Sequence, residues 1–249
     1  MERAINGNSP IFYARIVGGG LVLMALFALY ANFFVIERLI IPGNAAATVA
    51  NITANDLSFR LAIASFVIVL VLDVIVSWGL YVLLKQVNQN LALLAALFRL
   101  VYTAIFTAAI FNFVSVLQLL SKDIYLGALE TSQLNAQVML LIDAFKNGWM
   151  IGLVFFGVHL LLIGYLAFKS RFIPAFLGIL VMLAGLGYLI DNSAKILLAN
   201  YAEYETVFIL IVAVPGAIGE LALAIWLLTR GKKIPEIKPL KPSYEGGVH

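Results

Sequence analysis

Six apolar stretches, each long enough to cross a lipid bilayer, occupy most of this chain. A membrane-spanning helix needs about 20 apolar residues, because the hydrocarbon core is roughly 30 Å thick. The stretches predict helices at Ile11–Ile36, Leu61–Leu84, Leu91–Leu120, Ala136–Phe168, Phe172–Ile190 and Thr206–Leu228. Of the 249 residues, 63% are hydrophobic and 12% are charged, whereas a soluble domain carries about 25% charged residues. We therefore predict an all-α integral membrane bundle over residues 1–230, which leaves no room for an aqueous catalytic domain.

The polar segments between these stretches predict how the helices are connected. Pro42-Gly43-Asn44 is a turn and helix-cap signal, and the following residues Ala45–Ala54 predict a short surface helix. The fourth stretch is over-long for a perpendicular crossing and carries Asp143, Lys146 and Asn147 in its first third. This part is therefore expected at the outer interface or in a turn outside the membrane.

The distribution of Lys and Arg predicts the orientation of the bundle. One set of alternate connections holds ten such residues: Arg3, Arg15, Lys85, Lys169, Arg171, Arg230, Lys232, Lys233, Lys238 and Lys241. The other set holds four, which are Arg38, Arg60, Lys122 and Lys195. The side richer in basic residues is usually cytoplasmic, so we predict a protein of the inner (cytoplasmic) membrane with both termini inside. Residues 231–249, which combine prolines with lysines, predict a disordered basic cytoplasmic tail that contacts anionic lipid.

The sequence also excludes several kinds of chemistry. The chain has no cysteine, which removes disulfides, zinc–thiolate sites and iron–sulfur clusters. Its two histidines are His159, in an apolar stretch, and the terminal His249, so a haem cannot be held by two histidines inside the membrane. Nucleotide-binding, zinc-protease and serine-hydrolase motifs are missing as well. We therefore predict no cofactor and no metal site, and we attribute the net charge of +3 to topology rather than to a nucleic-acid partner.

Four charged or titratable residues lie deep within the apolar stretches: Asp73, Arg99, His159 and Glu220. A charge within hydrocarbon costs at least about 2.5–3.5 kcal/mol, so each of them needs a partner or a polar cavity. At a rise of about 1.5 Å per residue, all four lie roughly 13–17 Å from the cytoplasmic ends of their helices. They are therefore expected at a common depth near the bilayer midplane.

Two of these residues predict an ion pair. Asp73 and Arg99 are each thirteen positions from Gln86, in the turn between the second and third helices. Antiparallel neighbours bring such positions side by side, so the pair is either a structural link between two helices or part of a site. His159 is either an interhelical hydrogen-bonding group or a proton-transfer or ligand-contacting group. The candidate ligand-binding residues are Asp73, Arg99, Tyr102, His159 and Glu220, while no catalytic residue is assigned.

Six blocks of the sequence combine leucine-rich helix with isolated polar residues: Val71–Val74, Leu80–Asn88, Leu91–Val101, Gly152–Leu160, Ala184–Tyr188 and Gly219–Leu221. In these blocks the chain resembles the prokaryotic integral membrane family known as domain of unknown function 4386. The resemblance covers nearly the whole chain apart from the tail. It implies an integral membrane protein of a prokaryote and brings no activity with it.

Three functional hypotheses follow from the sequence. The first is a multi-pass membrane protein whose midplane polar pocket binds or translocates a small or lipidic ligand. The second is an intramembrane enzyme in which His159 and Glu220 act as acid and base on a lipid-soluble substrate. The third is an accessory membrane subunit whose charged residues only order the bundle. Membrane lipids are the expected partners in each case, and the sequence leaves the ligand and the oligomeric state open.

Overall fold

The computed structural model describes residues 9–121, 127 and 129–235, and all regular elements within them are helices. In chain order they are α1 (Pro10–Leu29), α2 (Ala45–Ala54), α3 (Asp56–Leu84), α4 (Gln89–Ser121), α5 (Thr131–Lys169), α6 (Ala175–Leu197) and α7 (Tyr201–Arg230). A π-helical segment, Tyr30–Ile36, and a last turn, Glu37–Leu39, extend α1 without a break. The predicted all-α fold is confirmed for this part of the chain.

Five helices of the described chain are long and apolar enough to cross a membrane: α1 with its extension, α3, α4, α5 and α6. Large apolar side chains are exposed on the outer surfaces of these five helices and of α7. Examples from all six long helices are Leu26, Val71, Phe111, Leu140, Leu183 and Ile225. A soluble protein rarely exposes continuous apolar surface of this kind, whereas a bilayer solvates it. The protein is therefore a multi-pass membrane protein.

The six long helices form a closed ring in chain order. Each of α3, α4, α5 and α6 packs against the next long helix, and α1 closes the ring by packing against both α3 and α7. Short turns such as Lys85–Asn88 make consecutive helices antiparallel. We call the end at which α1 begins and α7 finishes the terminal end, and the opposite end, where α2 packs on α5, the α2 end.

Glycines let the backbones approach closely where α1 closes the ring. A Cβ atom on Gly18 would lie 2.7 Å from the main-chain oxygen of Ala224 in α7, and one on Gly20 would lie 2.6 Å from a methyl group of Val76 in α3. Real Cβ atoms do not approach other atoms so closely, so these positions need glycine. The glycine run that the sequence places inside the first helix therefore serves close helix packing.

Reciprocal glycine contacts join α5 to α6 at two levels. A Cβ on Gly157 would meet the main-chain oxygen of Gly185 at 2.9 Å, and the converse distance is 2.7 Å. Gly164 and Gly178 are related in the same way, since a Cβ on either one would lie 2.7 Å from the main-chain oxygen of the other. The two helices are thus in backbone contact over the terminal half of the bundle.

Several predicted helix boundaries differ from the structure. Three helices, α3, α5 and α7, begin about one turn before the predicted starts, at Asp56, Thr131 and Tyr201, and α6 begins at Ala175 rather than at Phe172. The prediction ended the fifth stretch at Ile190, but α6 continues to Leu197. It continues because Asp191 accepts a hydrogen bond from Lys195 one turn later at 2.7 Å, so the charges are compensated within the helix. Likewise α5 is helical without interruption from Thr131, so the segment around Asp143 is helix rather than a turn. Asp143, Lys146 and Asn147 are exposed there, whereas Ile142 and Phe145 are buried.

The connection between α1 and α3 follows the prediction. The surface helix Ala45–Ala54 has the predicted bounds, and Asn44 caps it by accepting a hydrogen bond from the main-chain nitrogen of Ala47 at 3.0 Å. Gly43 has a φ of +73°, a conformation that other residues rarely adopt. The turn and cap signal in the sequence is therefore confirmed.

The predicted tail boundary at residue 231 is a few residues early. Gly231–Lys233 form a turn of 3-10 helix at the end of α7, and Ile234 is buried against the bundle. Ile234 is the first large apolar residue after the basic run, and it packs in the core with Leu227. The remainder of the predicted tail, residues 236–249, lies outside the described residues.

Candidate functional site

The predicted ion pair between Asp73 and Arg99 is present. Arg99 donates from Nη2 and from Nε to the same oxygen, Oδ1 of Asp73, at 2.7 and 2.8 Å. Asp73 is 0% exposed and Arg99 is 1% exposed. Ser77 adds a second link between the same helices by donating to the main-chain oxygen of Ala96 at 3.2 Å. The pair therefore joins α3 to α4 inside the bundle, as the symmetric spacing about Gln86 predicted.

His159 joins this pair from α5. Its Nε2 lies 3.1 Å from Nη1 of Arg99, and its Nδ1 lies 2.8 Å from the main-chain oxygen of Ala95. Because an arginine side chain has no acceptor, Nε2 accepts from Arg99, and Nδ1 carries the proton that it donates to Ala95. These contacts define a neutral imidazole with both nitrogens engaged. They match the predicted role as an interhelical hydrogen-bonding group.

The guanidinium group of Arg99 is surrounded on its remaining sides. Nη2 also contacts the sulfur of Met24 in α1 at 3.7 Å, and the ring of Phe156 lies 5.4 Å from the guanidinium carbon. Every nitrogen of Arg99 therefore has a partner. Oδ2 of Asp73, by contrast, is buried and accepts no hydrogen bond from the described residues. A buried oxygen without a donor is uncommon in proteins, so Oδ2 is the one atom of the cluster still able to accept.

The other two candidate residues lie outside this hydrogen-bonded cluster. Tyr102 is buried in an aromatic stack, 4.9 Å from Phe156 and 5.8 Å from Phe106 between ring centres. Glu220 in α7 is partly exposed and makes no ion pair or hydrogen bond with the residues that the structure describes. Asp73, Arg99 and His159 thus form the ionic cluster, Tyr102 packs beside it, and Glu220 has no direct polar contact with it.

A cleft of about 700 Å³ opens between α5, α6 and the π-helical segment of α1, toward the α2 end. Its wall is formed by Phe33, Lys146, Asn147, Trp149, Met150, Leu153, Tyr188, Asp191, Asn192 and Lys195. At about 1.5 Å per residue from the terminal end, Trp149 lies at about 30 Å, Tyr188 at about 20 Å and Arg99 at about 15 Å. The cleft therefore occupies the half of the bundle beyond the ionic cluster.

Aromatic rings separate the cleft from the cluster. Tyr188, which lines the cleft, packs edge-on against Phe156 at 5.4 Å between ring centres. Phe156 in turn lies 5.7 Å from the ring of His159 and below Arg99. The floor of the cleft is thus one aromatic ring away from the buried charges.

Two polar atoms in residues of the cleft wall are buried and lack a hydrogen bond of good geometry among the described residues. They are Oδ1 of Asn192 and Nε1 of Trp149, and the latter lies beside the hydroxyl of Tyr102. Asn192 is 1% exposed, and its Nδ2 donates to the main-chain oxygen of Tyr188 at 2.8 Å. Neither residue is among the candidates predicted from the sequence. The polar run Asp191–Lys195 is a signal that could have indicated Asn192, whereas Trp149 has no comparable signal.

These features define a class of protein, the helical multi-pass membrane proteins with a buried ionic cluster inside the bundle. Within this class, the chain belongs to the family described as Domain of unknown function (DUF4386), whose model matches residues 16–231. The resemblance predicted from the sequence is thereby confirmed.

A relative from Archaeoglobus fulgidus, described as an uncharacterized protein, is 31% identical over 176 residues. This match covers 71% of the present chain and 87% of the relative. No solved structure matches the chain.

Proposed function

We propose that the protein spans the cytoplasmic membrane six times, with both termini inside, and binds a small or lipidic ligand in the cleft between α5 and α6. Helix α7 supports a sixth span, because it has 30 residues and contains the apolar stretch predicted at Thr206–Leu228. An even number of spans puts both termini on one side. The excess of Lys and Arg in the connections at the terminal end makes that side the cytoplasm.

The cleft carries the proposal that a ligand binds. Its volume of about 700 Å³ is within the usual range of about 300–1,000 Å³ for small-molecule sites. Its wall combines apolar side chains with a few polar groups, and the Oδ1 atom of Asn192 in this wall is buried without a hydrogen-bond partner in the described chain. Leaving a buried polar atom unsatisfied costs about 1–3 kcal/mol. A ligand group that reached this atom would recover that free energy on binding.

The ionic cluster has a supporting role in this proposal. Asp73, Arg99 and His159 connect α3, α4 and α5, and Phe156 and Tyr188 transmit this packing to the floor of the cleft. A floor held by charge-assisted hydrogen bonds stays in place when a ligand binds. Asp73 is one of the ligand-contacting residues predicted from the sequence. Its Oδ2 is the atom of the ionic cluster that can still accept a hydrogen bond.

The two alternative functions have less support. An acid–base enzyme needs His159 to exchange protons with a substrate, but both of its ring nitrogens already have partners. It also needs Glu220 beside His159, and the two have no polar contact within the described residues. A purely structural subunit accounts for the ionic cluster, but it gives no reason for a buried unpartnered polar atom in the wall of an open cleft.

Fluorescence quenching tests the proposal, because Trp149 lines the cleft. The variant W78F/W226F leaves Trp149 as the only tryptophan of the chain. In detergent micelles, bromine-terminated decyl amphiphiles with alcohol, ether, carboxylate and ammonium headgroups are titrated separately as quenchers. We expect at least one of them to quench Trp149 along a saturable curve.

The matched control is the variant W149F/W226F, which retains Trp78 on the exposed surface of α3. A quencher that only partitions into the micelle acts on Trp78 without saturation. A second comparison fills the cleft with Leu153→Phe and makes the same substitution at the exposed Leu93 of α4. Only Leu153→Phe is expected to weaken the saturable quenching. If every amphiphile quenches Trp149 without saturation, as it does Trp78, the protein has no ligand site in the cleft.

A further inference from the structure

Two short segments meet at the terminal end of the bundle, away from the cleft and the ionic cluster. Residues 170–174 connect α5 to α6, and the turn Gly231–Lys233 follows α7. Ile173, in the first segment, and Ile234, directly after the second, are both buried and line the same small apolar cavity inside the bundle. Each segment is therefore anchored beside the other.

A groove of about 860 Å³ lies between these two segments, and we call it the terminal groove. Arg171 lines it from the first segment and Lys233 from the second. Both residues are exposed, and within the described chain neither forms an ion pair with an acid. Arginine and lysine keep their charged ends in water on long flexible stems, so the two charges can converge on one anion in the groove.

No acidic side chain of the described chain neutralises this end of the bundle. The nearest acids, Asp73 and Glu220, are about 15 Å away along their helices. With the flanking termini counted, the sequence assigns ten Lys and Arg residues to this side but only three acids, which are Glu2, Glu236 and Glu245. The general preference for basic residues on the cytoplasmic side accounts for this excess. It does not account for the convergence of two cations on one groove.

The backbone of Arg171 gives independent support for a role of its side chain. Arg171 has a φ of +59°, and within the described chain it is the only residue other than glycine with a positive φ. This conformation is unfavourable for a residue with a Cβ atom, whereas glycine adopts it freely. The buried Ser170 fixes the turn, because its hydroxyl donates to the oxygen of Ala167 at 2.7 Å and accepts from the nitrogen of Ile173 at 3.1 Å. An arginine at a position that suits glycine indicates that the guanidinium group is needed there.

We propose that the terminal groove binds the headgroup of one anionic phospholipid, with Arg171 and Lys233 holding its phosphate. A guanidinium group binds phosphate through two parallel hydrogen bonds, and an ammonium group adds a point charge. Phe168 and Phe172 line the same groove, and Phe168 is 41% exposed. Aromatic rings beside cations at the end of a membrane helix fit the glycerol and acyl chains of a lipid, which a free phosphate ion lacks. This site is separate from the cleft, so the two proposals are independent.

Native mass spectrometry of the full chain in detergent tests the proposal, because it counts the lipids bound to each protein molecule. The protein is titrated separately with dioleoylphosphatidylglycerol and dioleoylphosphatidylcholine, which have the same acyl chains and differ in net charge. Each basic residue close to an anionic lipid contributes about 5-fold to affinity. We therefore expect the first phosphatidylglycerol to bind about 10- to 30-fold more tightly than the first phosphatidylcholine.

The variant R171Q/K233Q should lose this preference while it binds phosphatidylcholine as the parent does. Retained phosphatidylcholine binding shows that the variant is folded. The matched control is R15Q/K232Q, since Arg15 and Lys232 are exposed at the same end and do not line the groove. The control removes the same two charges and should keep the preference.

A second variant, Arg171→Gly, separates lipid binding from stability. Glycine suits the left-handed backbone at this position, so the Tm of the lipid-free protein should stay the same or increase. The preference for phosphatidylglycerol should nevertheless fall by about 5-fold. A purely structural role of Arg171 would give the opposite result, a lower Tm with the preference intact.

Four results would overturn the proposal. The two lipids bind equally well, R171Q/K233Q keeps the preference, or R15Q/K232Q loses it to the same extent, which indicates a diffuse basic surface. The fourth is that inorganic phosphate, added at the concentration of the lipid, displaces phosphatidylglycerol, which indicates a site for a free anion.

Discussion

Replacing Asp73 with alanine should strongly destabilise the bundle. The substitution removes the carboxylate oxygen that receives two hydrogen bonds from Arg99, at 2.7 and 2.8 Å, and leaves a guanidinium that is 1% exposed without its counter-charge. Removing one partner of a buried ion pair costs about 3–5 kcal/mol. For a chain of this size, each kcal/mol changes the Tm by about 2–4 °C. The expected decrease in Tm is therefore about 6–20 °C.

The assay is thermal unfolding in detergent, followed by circular dichroism at one fixed protein and detergent concentration. The matched control is Asp56→Ala, because the Asp56–Arg60 pair has a similar N–O distance of 2.7 Å but is half exposed. Solvent screens such a pair, so its loss should change the Tm much less than the loss of Asp73.

The double variant D73L/R99M tests whether the uncompensated charge is the cause. Removing both charges should recover part of the lost stability, since apolar residues of similar size often replace a buried pair without cost. Recovery should be incomplete by about 1–3 kcal/mol, because Nε2 of His159 then loses its donor. If Asp73→Ala unfolds at the temperature of the parent, or at a temperature no lower than that of D73L/R99M, the ion pair does not stabilise the fold in the way described.

Three further predictions use simpler measurements. Gly157→Ala should cost about 1–3 kcal/mol in the same unfolding assay, because its Cβ would lie 2.9 Å from the oxygen of Gly185; Gly19→Ala, with no atom within 4 Å, should be neutral or slightly stabilising. His159→Lys should destabilise about as much as Asp73→Ala because it faces Arg99 with a second cation, whereas His159→Gln, which keeps an acceptor, should cost less; equal losses would contradict this. A reporter fused at the C-terminus should be cytoplasmic and a tag in α2 external, and an external C-terminus would refute the topology.

The positions of the helices were predictable because the membrane imposes one requirement on every span. A stretch such as Leu61–Leu84 must be apolar and about 20 residues long whatever its neighbours are, and α3 indeed covers it. The ion pair was predictable for a similar reason. A short turn at Gln86 forces two antiparallel helices into register, so positions equally far from the turn meet.

Helix ends were less predictable, since hydropathy marks where apolar residues stop and not where the backbone stops being helical. Asp191 and Asn192 lower the hydropathy after Ile190, yet their side chains bond to Lys195 and to the oxygen of Tyr188 within the same helix. The buried Ile234 escaped prediction because a single apolar residue among lysines and prolines has no periodicity.

The cleft could not be predicted from the sequence at all. It depends on how far α5 and α6 separate beyond their glycine contacts and on which polar atoms remain without partners. Both are tertiary properties. His159 contacts Arg99, whereas Glu220 has no polar contact with Arg99. This difference depends on how each helix is rotated about its axis, which a common depth does not determine.

The glycine contacts between α5 and α6 determine how the cleft changes in width. The pair Gly157 and Gly185 fixes the two helices at the apex of a wedge, and the cleft lies on the far side of that apex. From Gly157 to Lys146 at the rim is about 16 Å along the helix, so a rotation of about 10° at the apex displaces the rim by about 3 Å. A small change in crossing angle thus alters the aperture by nearly the thickness of an alkyl chain, while the ionic cluster on the other side of the apex stays where it is.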